Sequence, residues 1–174
     1  MTPTLRSALF TLIVVLAACS GASTAPNPKS DTTFTISDAA VQSLAAARNG
    51  WMFYKGRPDT LNRSRGSGHP EARLVTRYNA KAATQLDAGG KVRAGAVFPD
   101  SSIIVKDLIN GNSLVTVAVM MKLSKSPQAT SDGWIWTEYS ANGTVQASVN
   151  GRGQSCTGCH GTGIDFTRMN DSQP

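Results

Sequence analysis

Histidine and cysteine are scarce in this chain, with two and three copies in 174 residues. A four-ligand zinc site would have to recruit carboxylates or distant side chains, and three cysteines cannot build a disulfide framework. Charged residues are only 16% of the chain. The basic ones (Arg57, Arg63, Arg65, Arg73, Arg77, Lys81, Lys91, Arg93) are scattered and not stacked on one helix. With no groove-reading motif beside them, nucleic acid is not an expected partner. The net charge of +6 suits anionic headgroups or an acidic redox partner instead. Internal repeats are absent, and the apolar run Leu9–Ala18 falls short of the roughly 20 residues of a membrane-spanning helix.

The scarce residues are concentrated. Cys156-Thr157-Gly158-Cys159-His160 has the pattern by which two thiols form thioethers to one porphyrin and the next histidine serves as proximal iron ligand. A redox-active or disulfide-forming Cys-x-x-Cys pair, or half of a zinc site, is the plainer alternative. Neither needs a histidine at the next position. The motif therefore predicts covalent haem c, with Cys156 and Cys159 holding the macrocycle and His160 the iron.

Such attachment takes place outside the bacterial cytoplasm, and residues 1–18 have the layout of an export signal: Arg6, then the apolar run. Leu16-Ala17-Ala18-Cys19 resembles a lipobox, which makes Cys19 the lipidated first residue of the mature chain. An ordinary signal peptide with a chance cysteine is the alternative. Ser20 after the cysteine resembles the sorting signal for the outer membrane of Gram-negative bacteria. The Ser-, Thr-, Ala- and Pro-rich stretch through residue 33 reads as a flexible tether. The expected organisation is thus 1–18 signal, 19–33 lipid-anchored tether, and 34–174 one haem domain facing the periplasm.

Within that domain Ser37 caps a helix reaching about Arg48, with Val41, Leu44 and Ala45 on its apolar side and Asn49-Gly50 as the stop. Trp51–Tyr54 forms a strand or buried turn, and 57–70 a polar loop. A strand is expected over Arg73–Tyr78, then a helix over Ala80–Asp87 capped by Asn79. Strands follow over Ser102–Leu108, Ser113–Leu123 after the turn Asn110-Gly111-Asn112, Gly133–Tyr139 and Thr144–Val149. The class is α+β: a predominantly antiparallel sheet with two short helices, the haem segment coming last. Helical small cytochromes carry the motif near their N-terminus, so this order of elements is unlike theirs. Any group on the other haem face is expected from the upstream strands.

The stretch Phe98-Pro99-Asp100-Ser101-Ser102-Ile103-Ile104-Val105-Lys106-Asp107 resembles the "FPDGTxIVKE" segment of the cytochrome P460 family. Met120-Met121-Lys122 resembles its "VMVK" strand, Gly133-Trp134-Ile135-Trp136 its "GGWxW" strand, and Asp165-Phe166-Thr167 its tail after the haem motif. These anchors run in the family's order over about residues 71–168. The resemblance implies a mostly antiparallel β fold and often a homodimer. It implies that Lys106 is the lysine cross-linked to the porphyrin in hydroxylamine-oxidising members, with Lys122 matching a second family lysine. Otherwise Lys106 is a solvated strand-end residue. Arg73 matches an arginine expected to face the distal pocket, or is a surface residue.

Hydroxylamine oxidation needs a proton-accepting base on the distal side. Counting along the long strand puts the family's carboxylate at Ala118, flanked by Thr116 and Met120, none of them acidic. An apolar face of Val117–Met120 fits instead an open site for NO or CO, as in the related cytochromes c′-β, or is simply strand core. His69 and Met169 are the candidate sixth ligands. Three readings stay open: oxidation of hydroxylamine or a related nitrogen species, or a peroxidase-like side activity; capture or sensing of NO at an open iron; and six-coordinate electron transfer with a periplasmic redox partner.

Overall fold

The computed structural model describes residues 33–174. The expected signal segment 1–18, Cys19 and the tether up to residue 32 lie outside the described residues. No helix among the described residues is long and apolar enough to cross a membrane.

One antiparallel sheet organises the domain. Its strands are β1 (Met52–Phe53), β2 (Leu61–Asn62), β3 (Arg73–Tyr78), β4 (Ile103–Asn110), β5 (Ser113–Lys122), β6 (Trp134–Ser140) and β7 (Val145–Ala147). The order across the sheet is β1-β3-β4-β5-β6-β7, with β2 also pairing to β3. Gly111, at φ 58°, and Asn112 close the tight β4–β5 hairpin, in which Asn110 pairs with Ser113.

Both faces of the sheet are covered, so its alternation sorts two cores. Ile103, Val105, Val117, Val119, Met121 and Ile135 face one way, against Val41 and Ala45 of α1 (Asp38–Ala46). Ile104, Leu108, Met120, Trp134 and Trp136 face the other. Ser37 caps α1, its Oγ accepting from Ala40 N at 3.2 Å. The Asp38 carboxylate accepts from Thr137 Oγ1 (3.1 Å), Ser148 Oγ (2.7 Å) and Val149 N (2.8 Å), tying the helix to β6 and the chain after β7. Leu44, expected on the buried side, is exposed. The i, i+4 pair Val41 and Ala45 takes the contact and leaves Leu44 on the shoulder.

Two departures from expectation lie in the helices. The second, α2, covers only Ala80–Ala83, although Asn79 caps it as expected. The Thr84 hydroxyl donates to Lys81 O (2.8 Å), a local bond that competes with continuing the helix. Two further short helices, α3 (Thr157–His160) and α4 (Met169–Ser172), make four α-helices among the described residues where two were expected. Ser101 sits at φ 71°, a left-handed position, where the resembling family segment has glycine.

Candidate functional site

The site is built on two rows that run across the sheet. Thr76 pairs with Lys106, Lys106 with Ala118, and Ala118 with Glu138, so these four side chains stand side by side on β3 to β6. The next row is Tyr78, Ile104, Met120 and Trp136. Both rows line one cavity, closed by the loop Gly66–Pro70 and by Cys156, Cys159, His160, Arg168 and Met169. A register shift between Glu138 and Tyr139, where β7 joins, puts a β-bulge at its edge.

The cysteines and His160 converge because α3 is one helical turn. His160 N bonds to Cys156 O at 3.1 Å. Positions i, i+3 and i+4 of a turn share a face, so Cys156, Cys159 and His160 all reach the cavity. Gly153, just upstream at φ 66°, lies on the Trp136 indole where any Cβ would collide. His160 Nδ1 donates to Phe166 O at 2.7 Å, and its ring stands edge-on to Trp136 with centroids 4.8 Å apart. Burial pushes the imidazole down to about 4, so the ring is neutral and its Nε2 carries the lone pair.

A strut behind the site aims that carbonyl. Asp165 and Phe166 both take positive φ (43° and 66°), a costly pair for non-glycine residues. The Asp165 carboxylate accepts from Lys122 Nζ (2.9 and 3.1 Å), Phe98 N (2.7 Å) and Trp134 Nε1 (3.3 Å). Lys122 is thereby consumed in a buried ion pair. Asp165→Ala would strand its ammonium and is expected to cost about 3–5 kcal/mol, read as a lower denaturation midpoint of the haem-free chain.

The Lys106 amine, in contrast, makes no hydrogen bond or ion pair with the described residues and borders the cavity. Burial pushes its amine down to about 8, against the opposing pull of Glu138. The Glu138 carboxyl is raised by burial and by the charge of Glu71, with Lys106 pulling the other way. His69 lies in the cavity wall with Nδ1 3.6 Å from Glu138 Oε1. Its imidazole is pushed down to about 4 by burial, then by the charges of Lys106 and His160. Met169 also lines the cavity, its sulfur accepting from Thr76 Oγ1 at 3.3 Å.

The structure thus gathers Cys156, Cys159, His160, Lys106, Ala118, Met120, His69 and Met169, and leaves out Arg73. That expectation is corrected by strand parity. Leu74, Thr76 and Tyr78 face the cavity side, so Arg73 faces away and donates to Asn112 Oδ1 at 3.1 Å. Position 118 carries no acid, as the sequence shows, but across the sheet from it stands the carboxylate of Glu138 on β6.

The cavity fits a porphyrin. Two buried donors, Tyr78 Oη and Trp136 Nε1, have no hydrogen-bond partner among the described residues, and Arg168 Nε has only the Asp171 carboxylate at 3.8 Å, as expected where a group bearing acceptors belongs. The alternatives lose support. Burial pushes the Cys156 thiol up, opposite to a redox-active thiolate. Among the described residues no group of three or more His, Cys, Asp or Glu side chains could hold a metal ion.

A β-walled cavity served by a Cys-x-x-Cys-His turn defines a c-type cytochrome outside the helical class. The chain belongs to the cytochrome P460 family, whose sequence profile matches residues 75–165, more than half of its length. Its cofactor is accordingly covalently attached haem c. No curated protein matches the chain.

Proposed function

We propose that this cytochrome is an exported, lipid-anchored monohaem protein whose cavity handles small nitrogen species, with hydroxylamine oxidation the reaction its side chains suit best. Cys156 and Cys159 would hold the haem and His160 its iron. When bound, the haem supplies a redox-active iron and a position for a small ligand. The observation that carries the reading is the row Lys106–Ala118–Glu138. Ala118 is small and leaves a gap between two longer side chains. Ile104, Met120 and Trp136 keep an apolar wall beside that gap.

Each electron pair taken from hydroxylamine is accompanied by two protons, the electrons passing to a one-electron acceptor on the periplasmic side. Glu138 is the carboxylate placed to take a proton. Its raised affinity for protons brings it nearer the working pH, where general bases are most effective. Glu138→Gln is expected to lower hydroxylamine turnover with a redox-dye acceptor by roughly 100-fold or more, with haem content unchanged. Equal turnover in the variant would remove Glu138 from the reaction. The same apolar wall favours a second reading, capture of NO, which would show as NO binding by the ferrous protein without hydroxylamine turnover.

For the anchor, Cys19→Ser is expected to leave an uncleaved precursor or to release soluble protein, read by fractionating cells into membrane and periplasm. Native protein found entirely in the soluble periplasm would contradict lipidation and the outer-membrane location.

A further inference from the structure

The chain has two histidines, and both line the same cavity. Each turns Nδ1 toward an oxygen, His160 within hydrogen-bond distance and His69 just beyond it. His160 Nδ1 donates to a carbonyl at 2.7 Å, and His69 Nδ1 faces the Glu138 carboxylate at 3.6 Å. Neither Nε2 has a hydrogen-bond partner among the described residues. His160 thus has the form in which histidine binds a metal, tied to oxygen through Nδ1 and free at Nε2, and His69 needs only a small approach to Glu138 to take it.

The two differ in what carries them. His160 sits on a helical turn, whereas His69 sits in the loop Gly66–Pro70, its N–H donating to Ser67 Oγ at 3.2 Å. That loop rests on the haem-attachment segment, since a Cβ on Gly68 would lie 3.6 Å from Cys159 Sγ. A donor on a glycine-containing loop can move away, as one on the sheet cannot. The rival donors are otherwise placed: the Met169 sulfur accepts from Thr76, and Lys106 stands within the sheet.

We propose that His69 is a displaceable second axial donor, holding the remaining iron position in the resting protein and yielding it to an incoming small ligand. This rests on the reading of His160 as the proximal donor. Glu138 then has two states, partner to His69 at rest and available carboxylate once the loop has moved. Affinity for an external ligand falls in proportion to the fraction of molecules with the position open, so a protein open one part in a hundred binds about 100-fold more weakly.

The test uses the purified ferric holoprotein. Near-infrared magnetic circular dichroism should show a low-spin, bis-imidazole iron. His69→Ala should retain covalent haem, turn high-spin, and regain the low-spin spectrum on addition of imidazole. Carbon monoxide binding to the ferrous protein should approach a limiting rate with rising concentration, and His69→Ala should remove that limit. A high-spin unaltered protein, or a low-spin signal that survives His69→Ala, would overturn the proposal. If His69→Ala loses its haem, the ligand pair of the unaltered protein decides alone. Failure of the proximal reading is distinct: His160→Ala would then leave the unaltered axial spectrum in place.

Discussion

Replacing both Cys156 and Cys159 by alanine should yield protein without covalent haem, while the unaltered protein should keep its haem through acid–acetone extraction. The two thiols lie one helical turn apart on the cavity wall, the spacing two thioethers to one macrocycle require. Neither cysteine is in a disulfide among the described residues. His160→Ala is expected to behave differently, keeping the thioethers and losing the proximal bond, because the porphyrin and the iron are held by separate residues. A double variant with full covalent haem would place the attachment elsewhere.

Lys106→Leu should move the ferrous absorption spectrum toward that of an ordinary c-type haem. Lys106 lines the cavity with its amine unpaired among the described residues, whereas Lys122 is committed to Asp165. A bond from that amine to the ring would distort the macrocycle and change its electronics, one of the means by which a protein tunes a haem. A digest of the unaltered protein should then give the Lys106 peptide joined to the haem peptide around Cys156–His160. Joining the amine nitrogen to a ring carbon replaces one N–H and one C–H bond and releases two protons and two electrons, so the link needs an added two-electron oxidant such as a peroxide. Only the neutral amine has a lone pair to give, so with that oxidant in excess the link should form faster as pH rises through about 8. Burial holds this amine below its ordinary 10.5. Its protonation below about pH 8 therefore opposes folding, an opposition that fades as pH rises toward 10.5. Lys106→Leu is accordingly expected to stabilise the haem-free chain at neutral pH. Separate peptides and an unchanged spectrum would show Lys106 to be only a cavity-lining residue.

Strands β3 to β6 were legible in the sequence to within a residue or two. Each is an apolar or β-branched run bounded by glycine, asparagine or proline, and their neighbours in sequence are their neighbours in the sheet. β2 was not legible, since its two residues extend only because β3 offers them an edge. The turn of helix at Cys156–His160 was hidden by glycine and short polar residues with no apolar period.

The candidate site divides the same way. Cys156, Cys159 and His160 are a local motif, readable from spacing alone. Glu138 was missed because the acid was sought along β5, whereas side chains that meet on a sheet lie across strands. Trp134, Trp136 and Glu138 alternate visibly on one face of β6, yet only the register, Ala118 opposite Glu138, brings that acid to Lys106. Arg73 failed for the complementary reason: alternation along β3, with Leu74, Thr76 and Tyr78 toward the cavity side, already excluded it.

The mass of the purified protein after denaturation and acid–acetone extraction tests the central claim most directly. The account predicts the mature chain plus one haem, with the haem carried on the fragment containing Cys156, Cys159 and His160. A chain at its haem-free mass, or haem on a fragment lacking those residues, would contradict it.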